Sequence, residues 1–287
     1  MKSIAVLITC FNRKAKTLNC IQNIYAQQGL EEIELDIYIV DGGSNDGTPE
    51  AIRKTYPQVN VYIENGLFWA GGMRAAWKKA LEKKNYDYYW LLNDDTQIYP
   101  DCLQECLKAD KYSLQTYGKQ GVYVGSTKAS NTEQFSYGGR KLWKSHKSTS
   151  AIIIPDGKTY QTCELGNANI MMVSQEVFNT IGGFCERYTH GIADYDYSLR
   201  ATRAGFPVLV LPNYEGECED DHGNNWKSQS SSLKERIKYL YSPKGLAYKE
   251  YLTYIKEFFP KEFQTQRLKL WVKTLFPVLW DKFKNKD

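Results

Sequence analysis

A chain of 287 residues, 42% hydrophobic and 24% charged, has the composition of an ordinary globular protein and can bury a substantial core, as one large domain or two closely joined ones. Its 37 basic and 33 acidic residues are mixed along the sequence, so a net charge of +4 with a pI near 8.5 does not indicate a dedicated nucleic-acid binder. The seven cysteines are odd in number and scattered, and Cys102 and Cys106 have no second pair to complete a zinc site, so reduced thiols in a cytoplasmic protein are expected. The apolar part of Met1 to Thr9 is short for a secretory signal and runs straight into Asn12, Arg13 and Lys14, and no run approaches the length of a membrane span.

Ile4-Ala5-Val6-Leu7-Ile8 is a short, fully apolar strand, which Thr9 to Arg13 turns into a helix reaching about Gln28. A second strand, Asp36 to Val40, ends in Asp41-Gly42-Gly43-Ser44-Asn45-Asp46-Gly47-Thr48, and a helix starts at Pro49. Strand, polar glycine-rich turn and helix make the βαβ rhythm of a parallel sheet. Val59 to Ile63 gives a third strand, and Glu64 to Gly72 a loop that opens a helix from about Met73 to Lys83. Tyr88 to Leu92 is the fourth strand, followed by a helix from Pro100 to about Lys111 and a buried strand at Gly121 to Gly125. Between Ser126 and Lys158 the frequent Gly, Ser, Thr and Lys predict loops and a hairpin. Gly166 to Val173 returns to the core, then come a Ser174-capped helix through Ile181, a helix from Asp194 to Ala204, and a strand Val208 to Leu211 stopped by Pro212. From Ser231 onward the pattern is helical. It ends in a tail mixing Trp271, Phe276 and Trp280 with Lys282, Lys284 and Lys286, which suits an anionic membrane surface, its own domain, or a second subunit.

The run Tyr88-Tyr89-Trp90-Leu91-Leu92-Asn93-Asp94-Asp95 stops abruptly at two carboxylates. It reads as a buried parallel strand whose carboxyl end opens into a crevice, where open α/β sheets bind ligands. Carboxylates there suit Mg²⁺ or Mn²⁺, which take one or two from the protein and complete their shell with water and substrate phosphates, so a diphosphate-bearing substrate is suggested. An Asn-Asp turn leading to the next helix fits the same residues. No G-x-G-x-x-G follows the first strand, which argues against a dinucleotide oxidoreductase.

Thr9-Cys10-Phe11-Asn12, then Asp41 through Thr48, Asn65 through Gly72, Leu91-Leu92-Asn93-Asp94-Asp95, Gly182-Gly183-Phe184 and Asp194-Tyr195-Asp196-Tyr197-Ser198-Leu199-Arg200, in this order, resemble family 2 glycosyltransferases. The resemblance implies an α/β GT-A fold over residues 1–225, Rossmann-like with a mostly parallel central sheet and flanking helices, followed by a C-terminal helical extension over 226–287. It also implies inverting sugar transfer from a nucleotide-sugar donor, UDP the expected nucleotide, with Mg²⁺ or Mn²⁺. The implied acceptor is a bacterial surface polysaccharide or lipid-linked glycan, as in the rhamnosyltransferase-like or other polysaccharide-biosynthesis branches. The work would be done in the cytoplasm, at the inner face of the membrane if the tail is a peripheral contact, and by a homo-oligomer if the tail pairs with a second subunit.

Asp41 matches the family carboxylate that accepts from the nucleotide base; an ordinary capping Asp in a βα turn is the alternative. Thr9, Phe11 and Asn12, with Asn65 and Gly72, match segments lining the nucleotide pocket. Asn93 replaces the first Asp of the family's D-x-D; Asp95 matches the last and is the leading metal ligand, and Asp94 contacts ribose or shapes the turn. Asp194 matches the catalytic base, although Ala193 and Tyr197 replace the Glu and Leu around it. His222 follows at a distance where some members place a metal-binding His. Asn93 and Ala193 also keep open a catalytically impaired member that binds nucleotide sugar or acts as a scaffold. Of the other histidines, His190 has no motif of its own and is expected at the surface, with the acceptor cleft as the alternative. Arg200, four residues after Asp196, is expected to be its ion-pair partner.

Overall fold

Alternation along the first strand divides the protein into two cores: Ile4, Val6 and Ile8 bury on one side, Ala5 and Leu7 on the other. The computed structural model describes residues 1–130, 132–219 and 231–278. Its first half is β1 (Lys2–Cys10), α1 (Lys14–Tyr25), β2 (Ile33–Asp41), α2 (Thr48–Thr55), β3 (Asn60–Ile63), α3 (Trp69–Lys83) and β4 (Tyr88–Asn93). Then come β5 (Gln97–Ile98), α4 (Cys102–Tyr117), β6 (Val122–Lys128), β7 (Phe135–Tyr137), β8 (Gly139–Leu142), β9 (Ser150–Ile152), β10 (Gln161–Thr162), β11 (Leu165–Gly166) and β12 (Ile170–Ser174). The remainder is α5 (Gln175–Ile181), α6 (Ala193–Arg203), β13 (Val208–Glu217), α7 (Leu233–Tyr241), α8 (Tyr248–Phe258) and α9 (Phe263–Leu275).

The main sheet runs β10-β13-β6-β12-β4-β1-β2-β3. β3, β2, β1 and β4 are parallel neighbours, β12 is antiparallel to both β4 and β6, and β13 is parallel to β6. The expected parallel run is therefore present through β3, β2, β1 and β4 and again in β6 and β13, with β12 inserted against the grain and the short β5, β7 and β10 added antiparallel. Helices α3, α5, α6 and α8 cover one face, and α1 and α4 the other. Register then places the strand ends: Cys10 pairs with Asp41 and Thr9 with Asn93, so the polar tips of β1, β2 and β4 meet at one edge.

Several boundaries move. α1 stops at Tyr25 rather than Gln28, and α4 continues past Lys111 to Tyr117, where Gly118 turns it with φ 69°. α3 begins at Trp69, four residues early, because Gly72 lets the helix pack onto β1: a Cβ there would lie 2.1 Å from Thr9 Oγ1. Pro212 does not stop β13. It falls where pairing with β6 jumps from Val210–Val124 to Tyr214–Ser126, so its missing N–H breaks no regular rung. The hairpin expected between Ser126 and Lys158 is β8–β9. In the C-terminal helices, Leu240, Leu252 and Leu270 form a small core, whereas Tyr254, Ile255, Phe258 and Phe259 join the main core beside Tyr197.

Candidate active site

The meeting strand ends open into two adjoining cavities of about 370 and 430 Å³ that share Arg13, Trp69, Asp94, His190 and Lys244 at their waist. The first lies against Thr9, Phe11, Gly42, Leu67 and Phe68; the second against Asn93, Asp95, Asn167, Asp194 and Tyr195. Asp95 and Asp194, remote in sequence, thus face one cavity.

At the tip of β4, Asn93 Oδ1 accepts from Trp69 Nε1 at 2.7 Å, which fixes the amide that stands where a carboxylate was the family expectation. Arg13 Nη1 donates to Asp94 Oδ1 at 3.1 Å and also to Asp95 Oδ2, so one guanidinium bridges both acids. Asp94 is 4% exposed and also accepts from Thr17 Oγ1 at 3.2 Å. Burial pushes its carboxyl up to about 7, against the pull of Arg13 and with the repulsion of Asp95 adding to the rise. Asp95 also accepts from the Cys218 thiol at 3.7 Å.

Asp194 sits in the first turn of α6. Its Oδ1 accepts from Tyr195 N at 2.9 Å, and its Oδ2 from Asn167 Nδ2 and Ala168 N, both at 3.3 Å. Burial raises its pKa above the ordinary aspartate value, and those neutral donors offset only part of the rise. Asp196, two residues on, is fully buried and ion-paired to Arg200 at 2.7 Å, as the spacing predicted.

The remaining sequence-predicted residues separate by geometry. Thr9 and the half-exposed Phe11 line the first cavity with Asp94. Asp41, Asn12, Asn65 and Gly72 do not line it; they build its walls. Asp41 is fully buried and accepts from Gly43 N at 2.9 Å, Ser44 N at 2.6 Å and the Cys10 thiol at 3.3 Å, shaping the turn that presents Gly42. Asn12 ties the turns after β1 and β2 together, donating to Ser44 Oγ and accepting from Asn45 N. Asn65 packs on Gly43, where a Cβ would lie 2.1 Å from its side-chain oxygen. His222 lies outside the described residues.

Arg13, Lys244, Asn167 and the backbone of Ala168 were not singled out by the sequence, and His190, expected at the surface, lines both cavities. Lys244 arrives from the turn between α7 and α8, closed by Gly245 N to Ser242 O at 2.9 Å and Ala247 N to Ser242 O at 3.1 Å. Among the described residues the non-glycine positions with left-handed backbone are Asn12 (φ 53°), Ile192 (φ 72°) and Ala247 (φ 44°). Each lies within three residues of a cleft-lining cation or carboxylate, so backbone strain is concentrated where side chains must be aimed.

No cluster of three His, Cys, Asp or Glu side chains forms a protein-built metal cage among the described residues. What is present, Asp95 and the more buried Asp94 both lining the cleft, fits a hard divalent ion carried mainly by phosphate oxygens.

The model of the family Glycosyl transferase family 2 matches residues 5–179. No curated protein matches. Among solved structures, the mannosyltransferase PcManGT from Pyrobaculum calidifontis, in complex with GDP-Man and Mn²⁺, superposes with TM-score 0.55 at 15% identity, covering 97% of this chain and 87% of that one. S. aureus TarS 1–349 in complex with UDP-GlcNAc gives TM-score 0.53 at 16% identity, covering 92% and 73%. At such identity the structures establish a shared architecture, the GT-A fold expected from the motifs, and the family match spans more than half the sequence. The chain therefore belongs to glycosyl transferase family 2 and is a glycosyltransferase of the GT-A fold.

Proposed function

We propose that this enzyme transfers a sugar with inversion from a nucleotide-sugar donor, UDP-linked, to a saccharide or lipid-linked glycan at the inner face of a membrane. Residues 1–225 would carry the chemistry, with 226–287 as a helical extension that lends Lys244 to the cleft. The observation that carries the reading is the single cavity shared by Asp95 and Asp194.

In this reading the nucleoside occupies the first cavity, with the base against Phe11, and the sugar and acceptor the second. The diphosphate between them must cross the waist, which is bordered by Lys244 and by Arg13, whose charge is shared with Asp94 and Asp95. Asp194 takes the proton of the acceptor hydroxyl as that oxygen bonds to the anomeric carbon. The bond from that carbon to the diphosphate oxygen breaks, and its electron pair leaves with the diphosphate. A carboxylate with a raised pKa is a stronger base than an ordinary one, and Asn167, Ala168 and Tyr195 hold it in place. A bound Mg²⁺ or Mn²⁺, held by Asp95 and by His222 if that residue reaches the site, would supply further compensation for charge on the departing diphosphate. Lys244 favours the same charge, since no carboxylate lies within ion-pair distance of it among the described residues.

A panel of nucleotide sugars with Mn²⁺, Mg²⁺ or chelator tests the proposal: transfer or hydrolysis of at least one donor is expected, and failure to bind or turn over any donor refutes it. The second reading, a nucleotide-sugar binder without chemistry, draws on Asn93 locked to Trp69 and Ala193 fully buried where the family has Glu. Donor binding by calorimetry with no turnover on any acceptor would favour it.

A further inference from the structure

We infer that the solvent face of α9, with the adjoining β8–β9 hairpin, docks onto an anionic lipid bilayer. A helix that covers a domain usually turns a polar face outward. In α9, Leu270 buries against Leu240 and Leu252, yet Leu268 (65% exposed), Val272, Leu275 and the capping Phe276 all stand in solvent. Positions i, i+4, i+7 and i+8 share one side, so these four form a single apolar stripe opposite the buried one. At about 100° per residue, Arg267 and Lys269 fall on its two flanks, where long basic side chains can reach lipid headgroups while the stripe enters the acyl boundary.

Charge selects the partner. Residues 226–287 contain fourteen Lys and Arg against six Asp and Glu, a net +8, whereas residues 1–225 contain twenty-three against twenty-seven, a net −4. The basic character of the protein thus belongs wholly to the part that bears the stripe. No Asp or Glu occurs from 263 to 280, so two copies pairing this stripe symmetrically would set cation against cation. An anionic bilayer meets both the apolar and the basic requirement. The hairpin adds an interfacial aromatic: Trp143 is 73% exposed between Leu142 and Lys144. Its turn is pinned to the start of α9 by Ser148 N donating to Glu262 at 2.9 Å and Gln266 Nε2 donating to Ser148 Oγ at 2.9 Å. Among the described residues no helix is long and apolar enough to cross a membrane, so the contact is a surface one.

The test is co-sedimentation of the full chain with phosphatidylcholine vesicles, with and without phosphatidylglycerol, at low and near-physiological salt. Wild type should sediment with the anionic vesicles and much less with the neutral ones. Leu268→Gln with Leu275→Gln, both exposed and expected to leave the melting temperature unchanged, should weaken binding roughly tenfold or more. Arg267→Gln with Lys269→Gln should weaken it by a similar factor and flatten the salt dependence. Absence of wild-type binding, or undiminished binding by both double variants, would overturn the inference. So would light scattering that shows a dimer dissolved by the leucine substitutions. Binding is read without substrate, so failure here leaves the transfer chemistry untouched.

Discussion

Two pairs of aspartates stand at the end of β4 and at the start of α6, and each pair has one arginine; Asp94, Asp95 and Asp194 line the cleft, whereas Asp196 is fully buried. At β4 Arg13 straddles both Asp94 and Asp95. At α6 Arg200 donates through Nε to Asp196 Oδ2 and through its other nitrogens to Ile181 O and Gly183 O, so Asp194 is left with neutral N–H donors alone. Removing the cation from a partly buried carboxylate makes it hold a proton more readily, while a guanidinium within hydrogen-bond distance favours the anion. Asp194 is thereby left as a proton acceptor on one wall; on the other, Arg13 offsets only part of the burial that pushes Asp94 up to about 7, and Asp95 is the acid suited to a phosphate-borne cation.

The largest effect should come from erasing the acceptor. Asp194→Asn keeps the shape and removes the basic oxygen, so turnover should fall by roughly 10²–10⁴-fold with donor affinity nearly unchanged, measured by initial rates and calorimetry. Equal activity would end the contrast between the pairs. The pH profile sharpens it further. A base works ionised, so kcat/KM should fall as pH drops through the raised pKa of Asp194, and the acidic limb should lie above the ordinary aspartate range.

Arg200→Ala attacks the other half of the α6 pair. It leaves Asp196 fully buried without its partner, and about 3–5 kcal/mol of stability should be lost, read by denaturant unfolding. Arg200→Ala combined with Asp196→Asn should recover much of that, because no buried anion then remains. On the β4 side, Asp95→Ala should weaken metal-dependent donor binding at least roughly tenfold while leaving metal-free binding less changed, as titrations with Mn²⁺ and chelator would show. Equal loss in both conditions would mean that Asp95 serves the cleft only through Arg13.

Much of this was legible in the chain because the signals are local. Apolar runs ending in Asp41 and in Asn93-Asp94-Asp95 announce buried strands with polar tips, and the four-residue step from Asp196 to Arg200 announces their ion pair. What stayed hidden depends on register. Arg13 meets Asp94 and Asp95 across 81 and 82 residues because β1 and β4 are neighbours, and nothing near Arg13 distinguishes it from a helix-starting Arg. Glycine and asparagine signals point to pocket lining, whereas Gly72, Asn65 and Asn12 provide close packing and tied turns behind it. A polar turn residue looks the same in sequence whether it faces a ligand or another turn.

Lys244 was least visible, since it enters from an extension without family motifs, and its substitution gives the smallest expected effect on catalysis. It borders both acidic walls, yet no carboxylate holds it among the described residues, so its charge is available to whatever crosses the waist. If that is the diphosphate, the charge building on the leaving oxygen makes Lys244 more valuable at the transition state than in the donor complex. Lys244→Ala should then lower kcat more than it weakens donor binding, by roughly tenfold on the scale of one hydrogen bond to a charged group. Lys244→Arg should restore most of the loss. A donor Kd that rises while kcat holds would assign Lys244 to ground-state binding, and the division of labour between the two aspartate pairs would stand without it.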